Sequence, residues 1–260
     1  MFIYDDNIAL SAVLEKPEAH DGHRLAIQLH GFTSTKDRPH NLLAASAMRE
    51  AGYATLRFDL YGHGESGGTF RKHTLFKWIS NTLAVIHWAL EQGYEDLVLS
   101  GHSQGGLVAA LAAGMEGDRI HGLILRAPAF MIPEGARKGC LLGGSFDPEH
   151  IPDEIRLTDE CILGGDYLRT AQMIHAEDAA DRYRGPVLIL HGDQDDTVPL
   201  QDSEEYAERY ARCELKVLAG ETHHFDRRPE QMQALIREWL SLLATNGRKN
   251  PSGQADRRYS

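Results

Sequence analysis

The chain has 260 residues, a length that suits one α/β domain or two small ones. Its formal net charge of −11 argues against binding to nucleic acid or to an anionic membrane surface. The first residues lack the basic and apolar segments of a secretory signal, and no apolar run reaches the roughly 18 residues of a membrane span. Three cysteines form neither a C-x-x-C motif nor an even disulfide set, so we predict a cytoplasmic protein.

Apolar runs alternate with helical patterns along most of the chain. The predicted strands are an edge strand at Ile8–Leu14, then Leu25–Leu29, Ala54–Leu60, Leu97–Ser100, Leu123–Leu125, Val187–Leu190 and Leu215–Leu218. The predicted helices are Asn41–Ala51, Leu75–Gln92, Gly106–Ala113 and Gln231–Leu243. Because strands that are apolar on both faces belong to covered parallel sheets, the sequence predicts an α/β fold. Its central sheet should be mostly parallel and flanked by helices.

One long interval, between Pro128 and Pro186, breaks this alternation. A parallel crossover needs only about a dozen residues, so we predict that residues 129–185 are an inserted lid subdomain. Since the insertion leaves the carboxyl end of a strand, it should lie over the ligand crevice. The alternative is a surface excursion without function. We predict that residues 1–128 and 186–245 form the core of the fold. The polar residues 246–260 are predicted to be a flexible tail.

Gly101-His102-Ser103-Gln104-Gly105 fits the G-x-S-x-G pattern of a nucleophile elbow. An apolar strand precedes this pentapeptide and a helix of small residues follows it. A sharp turn from strand to helix exposes the serine hydroxyl, and glycines keep side chains out of the crowded turn. Ser103 is therefore the candidate nucleophile.

A serine nucleophile needs a base and an acid that orients the base, and after such an elbow the two follow in chain order. The loop after Val187–Leu190 carries aspartates, and the loop after Leu215–Leu218 carries two histidines. The candidates are Asp193, Asp195, Asp196, His223 and His224.

The developing oxyanion also needs hydrogen-bond donors. One is the main-chain N–H of Gln104, directly after the nucleophile, and the other is predicted to be that of Phe32. The ring of Phe32 should also line the acyl pocket. The glycines of the loop Asp59–Ser66 lack phosphate-cradling spacing, so this loop does not indicate a nucleotide site. The histidines lack ligand spacings such as H-E-x-x-H, so we predict no metal and no cofactor.

These features resemble the α/β-hydrolase superfamily over most of residues 20–244. The closer resemblance is to bacterial cinnamoyl and feruloyl esterases. The segments that carry it are His30-Gly31-Phe32-Thr33, Gly101-His102-Ser103-Gln104-Gly105-Gly106, Phe146–Asp153 and Leu163–Gln172. The superfamily patterns G-x-x-D-x-x-V-P and G-x-x-H-x-F favour Asp195 and His223 as the acid and the base.

The resemblance implies a serine carboxylesterase that forms an acyl-enzyme on feruloyl, cinnamoyl or other aryl and short acyl esters. The predicted substrate-binding residues are Phe32, Gly135, Leu142 and Tyr167. In the family, polar lid residues and a tyrosine after the histidine hold the phenol ring. The matched positions here are Gly135, Leu142 and Pro229, none of which can do so, so a more apolar acyl pocket is expected.

The sequence leaves other functions open for a chain with these residues. The enzymatic alternatives are a thioesterase, a monoacylglycerol lipase and a small peptidase, and the non-enzymatic one is a ligand-binding member of the fold. As partners we predict a small-molecule ester, neither nucleic acid nor a membrane, and we allow for a homodimer.

Overall fold

The structure is a computed structural model that describes residues 1–141, 143–157 and 161–247. In chain order its elements are β1 (Phe2–Asp5), β2 (Ile8–Glu15), β3 (Arg24–Leu29), α1 (Pro39–Glu50), β4 (Ala54–Phe58), α2 (Leu75–Glu91), β5 (Asp96–His102), α3 (Gln104–Glu116), β6 (Ile120–Arg126), α4 (Met131–Lys138), β7 (Cys140–Leu141), β8 (Gly144–Ser145), β9 (Glu154–Arg156), β10 (Ile162–Gly164), α5 (Gly165–Gln172), α6 (Ala176–Arg182), β11 (Val187–Gly192), α7 (Leu200–Arg209), β12 (Cys213–Leu218) and α8 (Pro229–Gly247).

A central sheet carries the fold. In the described part of the chain it has eight strands, in the order β1-β2-β4-β3-β5-β6-β11-β12. The pairs β1–β2 and β2–β4 are antiparallel, and all the others are parallel. The predicted mostly parallel sheet is thus confirmed. The edge strand is β1, however, and β2, which the sequence placed at the edge, lies one position inside.

Helices cover both faces of this sheet, because alternate side chains of the parallel strands are buried on opposite sides. In β5, Leu97 and Leu99 join a cluster beneath α2 and α3, whereas Val98 joins a second cluster beneath α1 and α8. Both clusters are apolar, so the central strands are packed on both faces. The loops at their carboxyl ends, where the predicted site residues lie, therefore start from fixed points.

The predicted insertion, residues 129–185, contains in its described part three short helices, α4, α5 and α6, and two small antiparallel strand pairs. Its helix α6 packs on α3 so closely that a Cβ on Gly114 would overlap the main chain of Ala179. Small residues on the nucleophile helix thus allow the insertion to dock against it. The predicted role of this segment as a lid stays a prediction.

The last helix, α8, is longer than the sequence pattern suggested and includes residues 246 and 247, the first two of the predicted tail. Residues 248–260, the rest of that tail, lie outside the described residues. Within the described residues, no helix combines the length and hydropathy needed to cross a lipid bilayer.

Candidate active site

The strand β5 turns into helix α3 at Ser103, whose backbone has φ 56° and ψ −123°. This is a strained conformation for a residue with a side chain, and it is of the kind that concentrates at functional sites. Glycines make the turn possible, because a Cβ on Gly101 would overlap the main chain of Gly105, and one on Gly105 that of His30. The main-chain N–H of Ser103 donates to the Arg126 carbonyl at 2.9 Å, which fixes the turn to the neighbouring strand.

The predicted acid and base meet across two loops. Nδ1 of His223 lies 2.8 Å from Oδ2 of Asp195, and both side chains are almost fully buried. Because a carboxylate only accepts, Nδ1 carries the hydrogen and Nε2 keeps a lone pair. A base needs that lone pair to accept a proton from a serine hydroxyl.

His102 brings the histidine loop to the nucleophile. Its Nε2–H donates to the main-chain oxygen of His223 at 2.8 Å, and its ring centroid lies 4.7 Å from that of His223. Ser103 follows His102 directly, so the residue before Ser103 in the chain is the one whose ring packs against that of His223. Among the described residues, no hydrogen bond joins the Ser103 hydroxyl to His223. Such contacts are often long before substrate binds.

The carboxylate of Asp195 is surrounded by donors. Its Oδ1 accepts from the main-chain N–H groups of Thr197 and Val198, both at 2.9 Å. Burial alone would raise the pKa of this carboxyl, but hydrogen bonds from His191, His223 and Val198 hold it well below its usual value. Asp195 therefore stays ionised and can stabilise a charged His223 ring.

His191 contacts the candidate acid, Asp195, and the sequence analysis did not predict this contact. Its Nε2 lies 3.2 Å from Oδ2 of Asp195 and 3.1 Å from the Val198 carbonyl, and its Nδ1 accepts from the Ser203 hydroxyl at 2.7 Å. The residue is completely buried. The sequence did contain one signal for this role. His191 is a polar residue at the end of an apolar strand, four positions before the candidate acid Asp195.

Glu221 is a second missed residue. Its buried carboxylate accepts from the main-chain N–H groups of Thr222, Arg227 and Arg228, and so closes the loop that carries His223. The other acidic and histidine candidates do not take part in the contact between Asp195 and His223. Asp193 accepts from the Gly220 N–H at 2.6 Å, Asp196 accepts from the Thr197 hydroxyl, and His224 is exposed.

The predicted oxyanion donors lie beside Ser103. The N–H of Gln104 is the first of helix α3, where no carbonyl one turn earlier accepts from it. In the described residues the N–H of Phe32 also has no acceptor. A Cβ on Gly31 would lie 3.1 Å from Cβ of Ser103, so the two segments are in close contact.

His30 orients the Phe32 donor. Its Nε2 accepts from the Leu60 N–H at 3.0 Å, so its Nδ1 carries the hydrogen and donates to the Gly31 carbonyl at 2.9 Å. In a trans peptide the C=O and N–H point in opposite directions, so this bond fixes the Phe32 N–H as well. Burial, with the neighbouring His63, lowers the pKa of His30 to about 3, which keeps this arrangement neutral.

The predicted substrate-binding residues have different surroundings. Phe32 is half-buried, and its ring centroid lies 5.3 to 6.0 Å from those of Phe70, His73 and Tyr167, which together form an aromatic wall. The hydroxyl of Tyr167 is buried and donates to Oε1 of Gln104 at 2.7 Å.

Gly135 lies on α4 against Cys140 and Leu141. It lines a cavity of about 580 Å³ together with residues of α6 and α7, and Ser103 and His223 do not line that cavity. Leu142 lies outside the described residues. Among the described residues, three histidines, His40, His102 and His224, each place one ring nitrogen within 4.8 Å of the other two.

The chain is similar to known proteins in sequence and in fold. Residues 22–147 match the family model of serine aminopeptidases of the S33 type, Hydrolase_4. The structure of Est1E from Butyrivibrio proteoclasticus with ferulic acid bound is 44% identical, with a TM-score of 0.92, over 94% of this chain and 99% of that one.

Two human proteins are more distant relatives. The chain is 28% identical to protein ABHD12B over 70% of its own length and 48% of that protein, so it spans about half of this relative. It is 26% identical to mitochondrial palmitoyl-protein thioesterase ABHD10, over 81% of this chain and 70% of that protein.

The strained serine between strand and helix, the eight-stranded sheet and the likeness to Est1E define the class: this chain belongs to the α/β-hydrolase superfamily of serine esterases. Within that superfamily it resembles the feruloyl esterases, and it is a hydrolase.

Proposed function

We propose that the protein is a serine carboxylesterase that hydrolyses aryl and short acyl esters through an acyl-enzyme. The observation that carries this proposal is the strained Ser103 at the start of α3. It is supported by His223, whose Nδ1 lies 2.8 Å from Asp195 and whose ring packs against His102, the residue before Ser103. Those three groups supply a nucleophile, a base and an orienting acid.

In the proposed mechanism the Ser103 hydroxyl attacks the ester carbonyl while Nε2 of His223 takes its proton. The carbonyl oxygen becomes negative and is stabilised by the N–H groups of Phe32 and Gln104, near the positive end of helix α3. His223 then gives its proton to the departing alcohol, which leaves the acyl group on Ser103. Water, activated by the same His223, hydrolyses this acyl-enzyme and restores the serine.

The aromatic wall supports an aryl acyl group. Phe32 carries one proposed oxyanion donor, so an acyl chain bound there extends directly past its ring. The hydroxyl of Tyr167 already donates to Gln104, and both Tyr167 and His73 are fully buried. Phe32 and Phe70 are partly exposed, so these two rings offer flat apolar contact and no hydrogen bond to a phenol.

We therefore expect methyl cinnamate and methyl p-coumarate to differ by less than about tenfold in kcat/KM, since an apolar pocket gains little from an added hydroxyl. Leu142→Gln should shift this ratio toward the hydroxylated ester. A preference of a hundredfold or more for methyl p-coumarate would contradict the apolar pocket and would leave the esterase activity itself untouched.

A thioesterase is the second candidate, because the chain is 26% identical to a palmitoyl-protein thioesterase over most of its length. The deciding experiment compares kcat/KM for p-nitrophenyl butyrate, methyl ferulate, an S-acyl thioester and an alanine p-nitroanilide. A carboxylesterase hydrolyses the two oxygen esters best. A larger kcat/KM for the thioester or the anilide would replace the proposal with a thioesterase or a peptidase.

A further inference from the structure

Three histidines from distant parts of the chain meet beside the proposed active site. His40 is the second residue of α1, His102 ends β5 and His224 lies in the loop after β12. One nitrogen of each lies within 4.8 Å of the other two. The ring centroids of His40 and His102 are 4.4 Å apart, and that of His224 lies 5.5 Å from His40 and 5.8 Å from His102.

Two of these rings have a buried nitrogen without a partner. Nε2 of His102 donates to the His223 carbonyl, so the neutral ring carries a lone pair on Nδ1. In the described structure that Nδ1 and the Nε2 of His40 are buried and form no hydrogen bond. His40 and His102 are only 8% and 2% exposed, so water does not readily satisfy them. Buried polar atoms of this kind call for a ligand or an ordered water.

The rings are also in the protonation state that binds metals. Burial, helped by the charge of Arg126, lowers the pKa of His40 to about 2, and burial holds the pKa of His102 well below its usual value. Burial, together with the neighbouring His223, lowers the pKa of His224 as well. All three imidazoles are therefore neutral at pH 7 and can donate a lone pair.

The charges around the cluster are mixed. The Arg126 guanidinium donates to the His40 carbonyl at 3.1 Å, and its positive charge opposes a bound cation. The carboxylates of Asp195 and Asp226 act on His224 in the opposite sense. The affinity should therefore be moderate, unlike that of a fully acidic site.

We infer that His40, His102 and His224 form a binding site for one divalent transition-metal ion of the zinc class. Neutral imidazoles suit Zn²⁺, Cu²⁺ and Ni²⁺, and three protein ligands leave a fourth position for water. Zinc–nitrogen bonds of about 2.0–2.1 Å in a tetrahedron need nitrogens roughly 3.3 Å apart, so the ligands must close by up to about 1.5 Å. The exposed His224 is the ligand that can move and through which an ion enters.

A bound ion would affect the neighbouring His223, and this consequence rests on the proposed function. During acyl transfer His223 becomes positively charged, and its ring centroid lies 4.7 Å from that of His102. A dication held by His102 would disfavour that charged ring and so slow the reaction. The ion would also pull on His224, the residue next to His223. We therefore expect the site to be inhibitory.

The residues that form this site are 62 positions or more apart in the sequence, so the motif spacings that led to the prediction of no metal could not detect them. The prediction of no metal therefore stays a prediction, and the metal-binding experiment below tests it.

The test is metal binding to the EDTA-treated full chain, measured by calorimetry with Zn²⁺ and by visible absorption with Co²⁺. We expect one Zn²⁺ to bind per chain and the affinity to fall at least tenfold in His224→Ala. The control is His87→Ala, which removes an exposed histidine away from the site and should leave the Zn²⁺ affinity unchanged. The Co²⁺ complex should show the strong visible bands of tetrahedral coordination, and these should also be lost in His224→Ala. No binding, or equal binding by His224→Ala, would overturn the site.

Inhibition is measured separately on p-nitrophenyl butyrate, with and without saturating Zn²⁺. We expect a fall in kcat for the wild type and for His87→Ala, and little change for His224→Ala. Unchanged turnover with Zn²⁺ bound would contradict the coupling to His223 but would leave the site in place. If the protein had no esterase activity, the calorimetry and the Co²⁺ spectrum would still decide whether the site exists.

Discussion

The hydroxyl of Tyr167 donates to Oε1 of Gln104 at 2.7 Å, with both residues fully buried. This bond joins the inserted segment to the residue that follows the proposed nucleophile. Nε2 of the same Gln104 side chain has no partner in the described structure, so Tyr167 supplies the hydrogen bond that holds it. The position of the insertion and the shape of the elbow are thus linked.

Tyr167→Phe should therefore lower both stability and activity. Leaving Oε1 of Gln104 unpaired costs about 1–3 kcal/mol of unfolding free energy. Tyr183→Phe is a matched control, because that buried hydroxyl donates to the Ile120 carbonyl at 3.0 Å, at the opposite end of the sheet. Urea unfolding should show similar losses in both variants, whereas kcat/KM on p-nitrophenyl butyrate should fall only in Tyr167→Phe. Equal kinetic effects would contradict the link.

His223→Ala should lower kcat by about 10⁴-fold or more, as expected for a base in a serine triad, and His224→Ala should have little effect without metal. Asp195→Asn should be similarly severe, because it reverses the donor and acceptor roles toward Nδ1 of His223. Asp193→Asn is the control on the same loop, where the side chain contacts Gly220 instead. A severe loss in His224→Ala would place the base one residue further along.

His191 should act as a positioning residue for Asp195. His191→Phe keeps a ring but removes the donor, and we expect kcat to fall by about 10²-fold through misplacement of the carboxylate, with KM nearly unchanged. His191→Gln retains an N–H donor and should recover part of this loss. Steady-state kinetics of the two variants test this. If both lost stability alone, with kcat intact, His191 would serve only the packing of the loop.

Buried neutral histidines should make the fold sensitive to mild acid. Burial lowers the pKa of His30 and of His73 to about 3, from 6.5. The unfolded chain takes up a proton at each of these sites below about pH 6.5, and the folded chain does so only near pH 3. The unfolding free energy therefore falls as the pH drops through this window, by up to about 1.4 kcal/mol per pH unit for each histidine.

Urea unfolding at pH 6.5, 5.75 and 5.0 measures this slope. His73→Phe removes one titrating group and should reduce the slope, while the same substitution at the exposed His87 controls for the change of side chain. A flat unfolding free energy between pH 6.5 and pH 5.0 would be incompatible with buried neutral histidines.

Much of the fold could be predicted because the apolar runs were clear. The parallel strands and the long helices α2 and α8 appear within a few residues of their predicted ends. The edge strand β1 was missed, since its four residues, of which one (Ile3) is buried, are too few to carry a periodic signal. Helix α7 was missed because one buried residue, Ser203, is too few to give a helical stripe.

The residues of the proposed site likewise fall into those that the sequence could predict and those that it could not. Ser103, Asp195 and His223 follow apolar strands and match motif spacings, so the sequence could propose them. His30, His191 and the pairing of Tyr167 with Gln104 depend on contacts across 30 or more residues or on the protonation of one nitrogen. No local pattern encodes the contacts of His30 or the pairing of Tyr167 with Gln104, whereas the position of His191, four residues before Asp195, was a local signal.

The most direct test of the account is covalent labelling of the nucleophile with a fluorophosphonate, read by mass spectrometry of the adduct. We predict one adduct, on Ser103, and loss of both labelling and p-nitrophenyl butyrate hydrolysis in Ser103→Ala. Ser100→Ala, which changes a buried serine on the same strand, should still be labelled. An adduct on another residue, or labelling that persists in Ser103→Ala, would contradict the central claim.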